Sequence, residues 1–178
     1  MSFTPAYGLY GGTRLPYHSI DVQTNYTSSL LPNIDNPWGV SNRIIYTPLV
    51  VYFPVLVRKI WLMWGATGTG NFILGVYNNS GSKLLDSGST AKTAAIATKR
   101  IDVTDTLFQP GIYWMALIAN STTDSYICDT DAAPLQGANG ALFENAGSFA
   151  LPSTWTPSVQ QSIAFWPYSG LDLNALNA

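Results

Sequence analysis

The sequence predicts an all-β protein built as an antiparallel β-sandwich. Three observations predict it. Between residues 55 and 119, short β-branched and aromatic runs alternate with Gly, Asn, Ser and Pro clusters, the pattern of strands joined by tight turns. No comparable stretch carries the period of a long amphipathic helix. The length of 178 residues suits one sandwich with extensions and is enough to bury a core.

The elements follow in order. Residues 1 to 37 read as an extended arm. Met1 to Thr13 holds three Gly, two Tyr and a Pro with no sustained period, so it cannot make a core of its own. Its aromatics exceed those of a disordered tail. Phe3, Tyr7, Tyr10 and Tyr17 are therefore expected to anchor the arm on the sandwich or on a neighbouring subunit. Residues 38 to 178 form the sandwich domain, with core strands over about 40 to 119. Thr47-Pro48 and Phe53-Pro54 restrict the chain to extended geometry and mark an edge or a change of sheet.

In the run from Val55, strict alternation puts Leu56, Arg58, Ile60, Leu62 and Trp64 on one face. Val55, Val57, Lys59, Trp61 and Met63 take the other. Both faces are mostly apolar, which predicts a strand covered on both sides. Asn71 to Leu85 reads as a hairpin around an Asn-Ser-Gly turn. Residues 89 to 98 are small and polar and read as a loop or a poor strand. Asp102 and Asp105 are expected to cap the turn into Leu107-Phe-Gln-Pro-Gly111. Ile112 to Ile118 is the most apolar run and predicts a buried Trp114. After a polar, Gly-rich and Pro-rich stretch, residues of about 159 to 168 read as a strand returning to the sandwich, and Leu171 to Leu176 as a short tail.

Charged residues are only 10% of the chain and aromatics 13%, against about 25% charged in an ordinary soluble domain. A charged surface keeps a monomer apart from its copies. This composition therefore predicts surface covered by other subunits, a homo-oligomer, or an aromatic ligand face. The eight Lys and Arg are scattered in a chain of net charge −2, so no basic groove for nucleic acid is expected. The longest apolar run, Leu49 to Val57, is interrupted by Pro54 and falls far short of the roughly 18 to 20 residues of a membrane helix. Residues 1 to 20 lack the charged and apolar regions of a secretory signal, which predicts a protein made in a cytoplasm without a leader. The sequons at Asn25, Asn78 and Asn120 then read as chance matches.

Catalytic patterns are missing. His18 is the single histidine and lies in the arm, and Cys128 is the single cysteine. No nucleophile elbow, phosphate loop or zinc motif occurs. The expectation is a non-enzymatic protein without a cofactor. Asp124, Asp129 and Asp131 share a polar stretch and offer hard oxygen ligands for calcium. Their spacing matches no EF-hand, so a solvated acidic loop is the favoured reading. Sugar recognition needs exposed rings. Trp38, Trp155 and Trp166 lie beside or near prolines and are the candidates for stacking on a glycan, or equally for anchoring an interface.

The set Tyr46-Thr-Pro48, Val55 to Trp64 with Gly65-Ala-Thr67, Gly70 to Tyr77, Gly81 to Gly88, Ile101-Asp-Val-Thr104 and Pro110-Gly-Ile-Tyr-Trp114 resembles β-sandwich domains of tailed-bacteriophage virion proteins. The likeness covers about residues 40 to 120. The Pro-Gly-Ile-Tyr-Trp piece is similar to one in jelly-roll carbohydrate-binding modules. The resemblance implies a jelly-roll-like structural subunit of a phage particle, a capsid decoration protein or an accessory tail or fibre protein. Its partners would be other virion proteins and copies of itself, and its location the virion. The rival expectation is a carbohydrate- or host-receptor-binding module on the particle.

Overall fold

The computed structural model describes residues 20–23, 34–129, 142–156, 159–160, 166–167 and 169–174. Phe3, Tyr7, Tyr10, Tyr17, His18 and Asp131 lie outside the described residues, as do the side chains of Asp129 and Trp166. The described residues hold fourteen strands and no helix: β1 (Ile20–Gln23), β2 (Ile34–Pro37), β3 (Arg43–Val51), β4 (Val55–Trp64), β5 (Asn71–Asn78), β6 (Lys83–Asp86), β7 (Thr90–Ala91), β8 (Ala97–Phe108), β9 (Gly111–Ala119), β10 (Ser125–Asp129), β11 (Leu142–Asn145), β12 (Val159–Gln160), β13 (Trp166–Pro167) and β14 (Ser169–Asn174).

They form two antiparallel sheets of seven strands each. In the first sheet β4 pairs with β8 along one side. Its other side is shared by β14 and, at Trp64, by β10. β1 extends the sheet beyond β14, and β2 and β13 pair with β10. Two stretches of the segment 1 to 37 are thus strands of this sheet. The second sheet runs β12-β11-β3-β9-β5-β6, with β7 also on β5. Pro48 lies in β3 opposite Trp114 of β9, beyond the stretch Arg43 to Tyr46 that β11 pairs. The turn through Phe53 and Pro54 carries the chain from the second sheet to the first.

One core fills the space between the sheets. Val55, Val57, Ile60, Leu62 and Trp64 face Leu49, Val51, Phe72, Leu74, Val76, Met115 and Leu117. Strict alternation cannot put Val57 and Ile60 on one face. A register shift between Val57 and Lys59 resolves this, because a bulge re-phases every following side chain. Lys59, Trp61 and Met63 then point outward with Leu56 and Arg58.

Among the described residues, the outward face of β4 carries an ion-pair ladder beside the buried Trp61. Arg58 meets Asp105 at 3.2 Å and Lys59 meets Asp102 at 3.0 Å. Arg100 crosses β4 to Asp172 on β14 at 3.1 Å, next to the buried Trp61. Asp102 and Asp105 therefore act within the long edge strand β8 and do not cap its turn.

Among the described residues, the second sheet is covered on both faces. Its inner positions alternate with Ile44, Tyr46, Ile73, Tyr77, Ala116 and Ile118, which form a separate apolar cluster with Leu151. Residues 146 to 156 lie over that outer face, so β3, β5 and β9 read as unbroken apolar runs. Trp114 points to this side and is half-buried. The segment read as a tail supplies β14, paired to β4 from Leu56 to Leu62.

Candidate functional site

Three surfaces concentrate unusual chemistry. The first is an aromatic plug on the outer face of the second sheet. Tyr46, Trp114 and Tyr77 project from neighbouring strands, and Trp155 lies across them. Its ring is edge-on to Tyr46 at 5.2 Å, stacked over Tyr77 at 6.4 Å and tilted against Trp114 at 5.0 Å.

The plug is positioned by the β5–β6 turn. Asn78 Oδ1 accepts from Ser80 N, Ser80 Oγ and Ser82 N. Gly81, at φ +88°, bares its backbone to the indole; a Cβ there would overlap Trp155 Nε1. Trp155 N donates to Gly81 O at 2.9 Å. Below the ring, Tyr46 OH donates to Glu144 Oε2 at 2.8 Å and Tyr77 OH to Pro152 O at 2.6 Å. Thr156 N and Oγ1 donate to the Glu144 carboxylate at 3.1 Å each. Burial, and then the bond to Glu144, raises the Tyr46 phenol far above its usual value, so both tyrosines act as neutral donors at any physiological pH. Trp114 Nε1 donates to the exposed Asn79 Oδ1 at 3.3 Å. The result is two half-buried indoles beside an oriented surface amide.

The second surface is a carbonyl cage at one end of the sandwich. The β4–β5 loop turns around the ammonium of Lys92, which is only 3% exposed. Lys92 Nζ donates to Gly65 O at 2.9 Å and to Thr67 O, with Thr93 O at 3.3 Å and Gly68 O at 3.4 Å. Two carboxylates face the same loop. Asp35 Oδ2 accepts from Ala66 N at 2.8 Å and Asp124 Oδ1 from Gly70 N at 3.1 Å. Their other oxygens, Asp35 Oδ1 and Asp124 Oδ2, are buried without a hydrogen-bond partner. Both press on loop glycines: a Cβ at Gly65 would overlap Asp35 Oδ1, and one at Gly70 would sit 2.6 Å from Asp124 Oδ2. Burial pushes the Lys92 ammonium below the usual lysine value, while Asp124 and Asp35 pull it back up.

The third surface is an apolar end formed by the β3–β4 and β8–β9 turns. Tyr52 is 78% exposed, and Phe53, Leu107 and Ile112 are each about half exposed. Leu107 pairs with Leu56 in the first sheet and Ile112 with Val50 in the second, so the two turns close the same end of the sandwich with Leu107 and Ile112 on its two outer faces.

These surfaces gather few of the residues that sequence reasoning singled out. Trp38 is a core residue, 4% exposed and edge-on to Tyr126 at 5.3 Å. Trp155 belongs to the plug. Asp124 serves the carbonyl cage, and β10 separates its backbone from that of Asp129 by about 16 Å. Among the described residues no group of three or more His, Cys, Asp or Glu is placed to hold a metal ion. Cys128 is buried in the core. Lys92 and Asp35 belong to no motif in the sequence; the signal it carries is the Gly65, Gly68, Gly70 spacing, which places backbone where carboxylates approach it. Comparisons with family models, curated proteins and solved structures give no match.

Proposed function

We propose that this chain is a non-enzymatic structural subunit of a tailed-bacteriophage particle, a capsid decoration or accessory tail or fibre protein that acts through protein–protein assembly. The assignment to a phage particle rests on the resemblance over residues 40 to 120. Assembly rests on one observation, the apolar end at Tyr52, Phe53, Leu107 and Ile112. Covering these four side chains yields roughly 1 kcal/mol each. Association costs about 4 to 15 kcal/mol, so this end alone holds only a weak contact. Stable assembly then needs more surface or many linked copies, and the arm residues Phe3, Tyr7, Tyr10 and Tyr17 are the proposed source. The jelly-roll-like reading belongs to the same proposal. It is supported by the way β3, β4 and β5, and later β8, β9 and β10, step alternately between the two sheets.

Light scattering on the pure protein tests assembly. The wild-type chain should scatter as a homo-oligomer, and Tyr52→Ser with Leu107→Ser should reduce its mass. A wild-type chain that stays monomeric at micromolar concentration, with no particle to bind, contradicts the proposal.

One observation favours a second reading, a carbohydrate- or host-receptor-binding module: the tilted Trp114–Trp155 pair beside Asn79. Trp114→Ala should then abolish glycan binding while leaving assembly intact. Loss of assembly with unchanged glycan binding would favour the structural reading instead.

A further inference from the structure

We propose that the apolar end of the sandwich is the seat of an exchanged arm: residues 1 to 19 of one copy lie across Tyr52, Phe53, Leu107 and Ile112 of a second copy. The inference rests on the assembly reading above and assigns its contact. Three observations carry it. The first is the shape of the patch. Tyr52 and Phe53 sit in the turn that joins the two sheets, while Leu107 and Ile112 belong to different sheets and lie on their outer faces. A flat surface laid on one outer face would miss the other. An extended segment can cross the tip and touch both. The sheets stand about 10 Å apart, and six extended residues span about 20 Å.

The second observation is where the arm joins the fold. Ile20 pairs with Leu173, and Leu173 with Val57. Both pairings are antiparallel, so β1 runs parallel to β4, and β4 begins just after the Phe53-Pro54 turn. Traced backward from Ile20, the chain therefore heads for the apolar end. Two strand spacings, about 10 Å, separate β1 from β4. Nineteen residues reach up to about 60 Å when extended, so length does not restrict the seat. The third observation is composition. Residues 1 to 19 carry Phe3, Tyr7 and Tyr10 three or four positions apart, and Arg14 is their one Lys, Arg, Asp or Glu. Extended, such a segment sets rings about 10 to 13 Å apart, a spacing that suits separate apolar side chains across a tip.

The heading of the chain selects the neighbour's end over its own. Continued in the line of β1, the arm runs out past the tip. Reaching its own end needs a reversal, whereas reaching a copy that meets this end needs none. Arm and seat share one end of the molecule, so a two-fold axis through the contact lets both arms exchange and closes a dimer.

Cross-linking of full-length chains tests this. Tyr10→Cys and Tyr52→Cys are made separately, mixed, and treated with a short bismaleimide; the native Cys128 is buried, and untreated wild type gives the background. The mixture should yield a covalent dimer of one chain of each kind, with the linked peptides identified by mass spectrometry. A chain carrying both cysteines should link to a second chain rather than close on itself. Tyr7→Ser with Tyr10→Ser should weaken association about tenfold in light scattering. Linkage mainly within one chain would place the arm on its own end and overturn the exchange. An oligomer without any arm-to-end link would overturn it too, while leaving the assembly reading intact. A wild-type chain that is monomeric at micromolar concentration and gives no link contradicts both.

Discussion

Gly81→Ala should couple to Trp155 in a way that a turn glycine alone cannot explain. At φ +88° an alanine carries a left-handed backbone penalty of about 1 to 2 kcal/mol. Its methyl would also overlap Trp155 Nε1, so the indole must leave its seat over Tyr46, Tyr77 and Trp114. Each aromatic contact contributes about 0.5 to 1.5 kcal/mol, and displacement forfeits part of the set, roughly 1.5 kcal/mol. Gly81→Ala should therefore cost about 3 kcal/mol in total, lowering Tm by about 10 °C in a chain of this size. Trp155→Ala should itself cost about 3 kcal/mol, less than a fully buried Trp. In that background nothing remains to collide with, and Gly81→Ala should cost only the backbone penalty. Urea denaturation of the four proteins of the cycle measures the coupling, expected near 1.5 kcal/mol. Additivity within about 0.5 kcal/mol would mean that Gly81 does not seat the indole.

Other perturbations read other parts of the molecule. Tyr46→Phe removes the donor to Glu144, which keeps its two bonds from Thr156; denaturation should show a loss of about 1 to 2 kcal/mol. Burial raises the Asp86 carboxyl, but the Lys83 ammonium at 2.7 Å and the Gly88 N–H outweigh it and hold the group below its usual value. That stability is present above the unfolded value near pH 4 and is lost as pH falls through the lower folded value. Asp86→Asn should thus lower stability at neutral pH by no more than about 1 kcal/mol and flatten the acid limb of a pH–stability curve below about pH 4. Tyr52→Ser and Leu107→Ser should each leave monomer stability within about 0.5 kcal/mol of wild type while weakening association in light scattering; a large stability loss would show that these side chains already have partners.

Much of the fold is legible in local pattern. The hairpin from Asn71 to Leu85, the turn at Phe108 to Gly111 and the sheet change at Phe53-Pro54 all rest on turn chemistry, which acts over a few residues. The faces of β4 are not legible, because the bulge after Val57 leaves no mark in a run that is apolar on both faces. Alternation alone therefore assigns Ile60, Leu62 and Trp64 to the same side as Arg58. The role of Leu171-Asp-Leu-Asn174 is equally hidden, since pairing with a strand more than a hundred residues earlier has no local signature. The candidate surfaces depend almost wholly on such distant meetings. Lys92 sits in a small polar stretch that reads as loop, and only the fold brings Gly65, Thr67, Asp35 and Asp124 around it. Trp155 was visible as a proline-flanked aromatic, but its seat over Tyr46, Tyr77 and Trp114 was not, because those residues come from three other strands. Trp38 gave the same signal and is core.

We propose that this chain is a building part of a phage particle. Mass spectrometry of purified particles from a lysate that expresses the chain, with electron microscopy to place any added density, tests it most directly. The proposal predicts many stoichiometric copies per particle, lost when the apolar end carries Tyr52→Ser and Leu107→Ser. Particles that lack the chain altogether, while it accumulates free in the lysate, would contradict it.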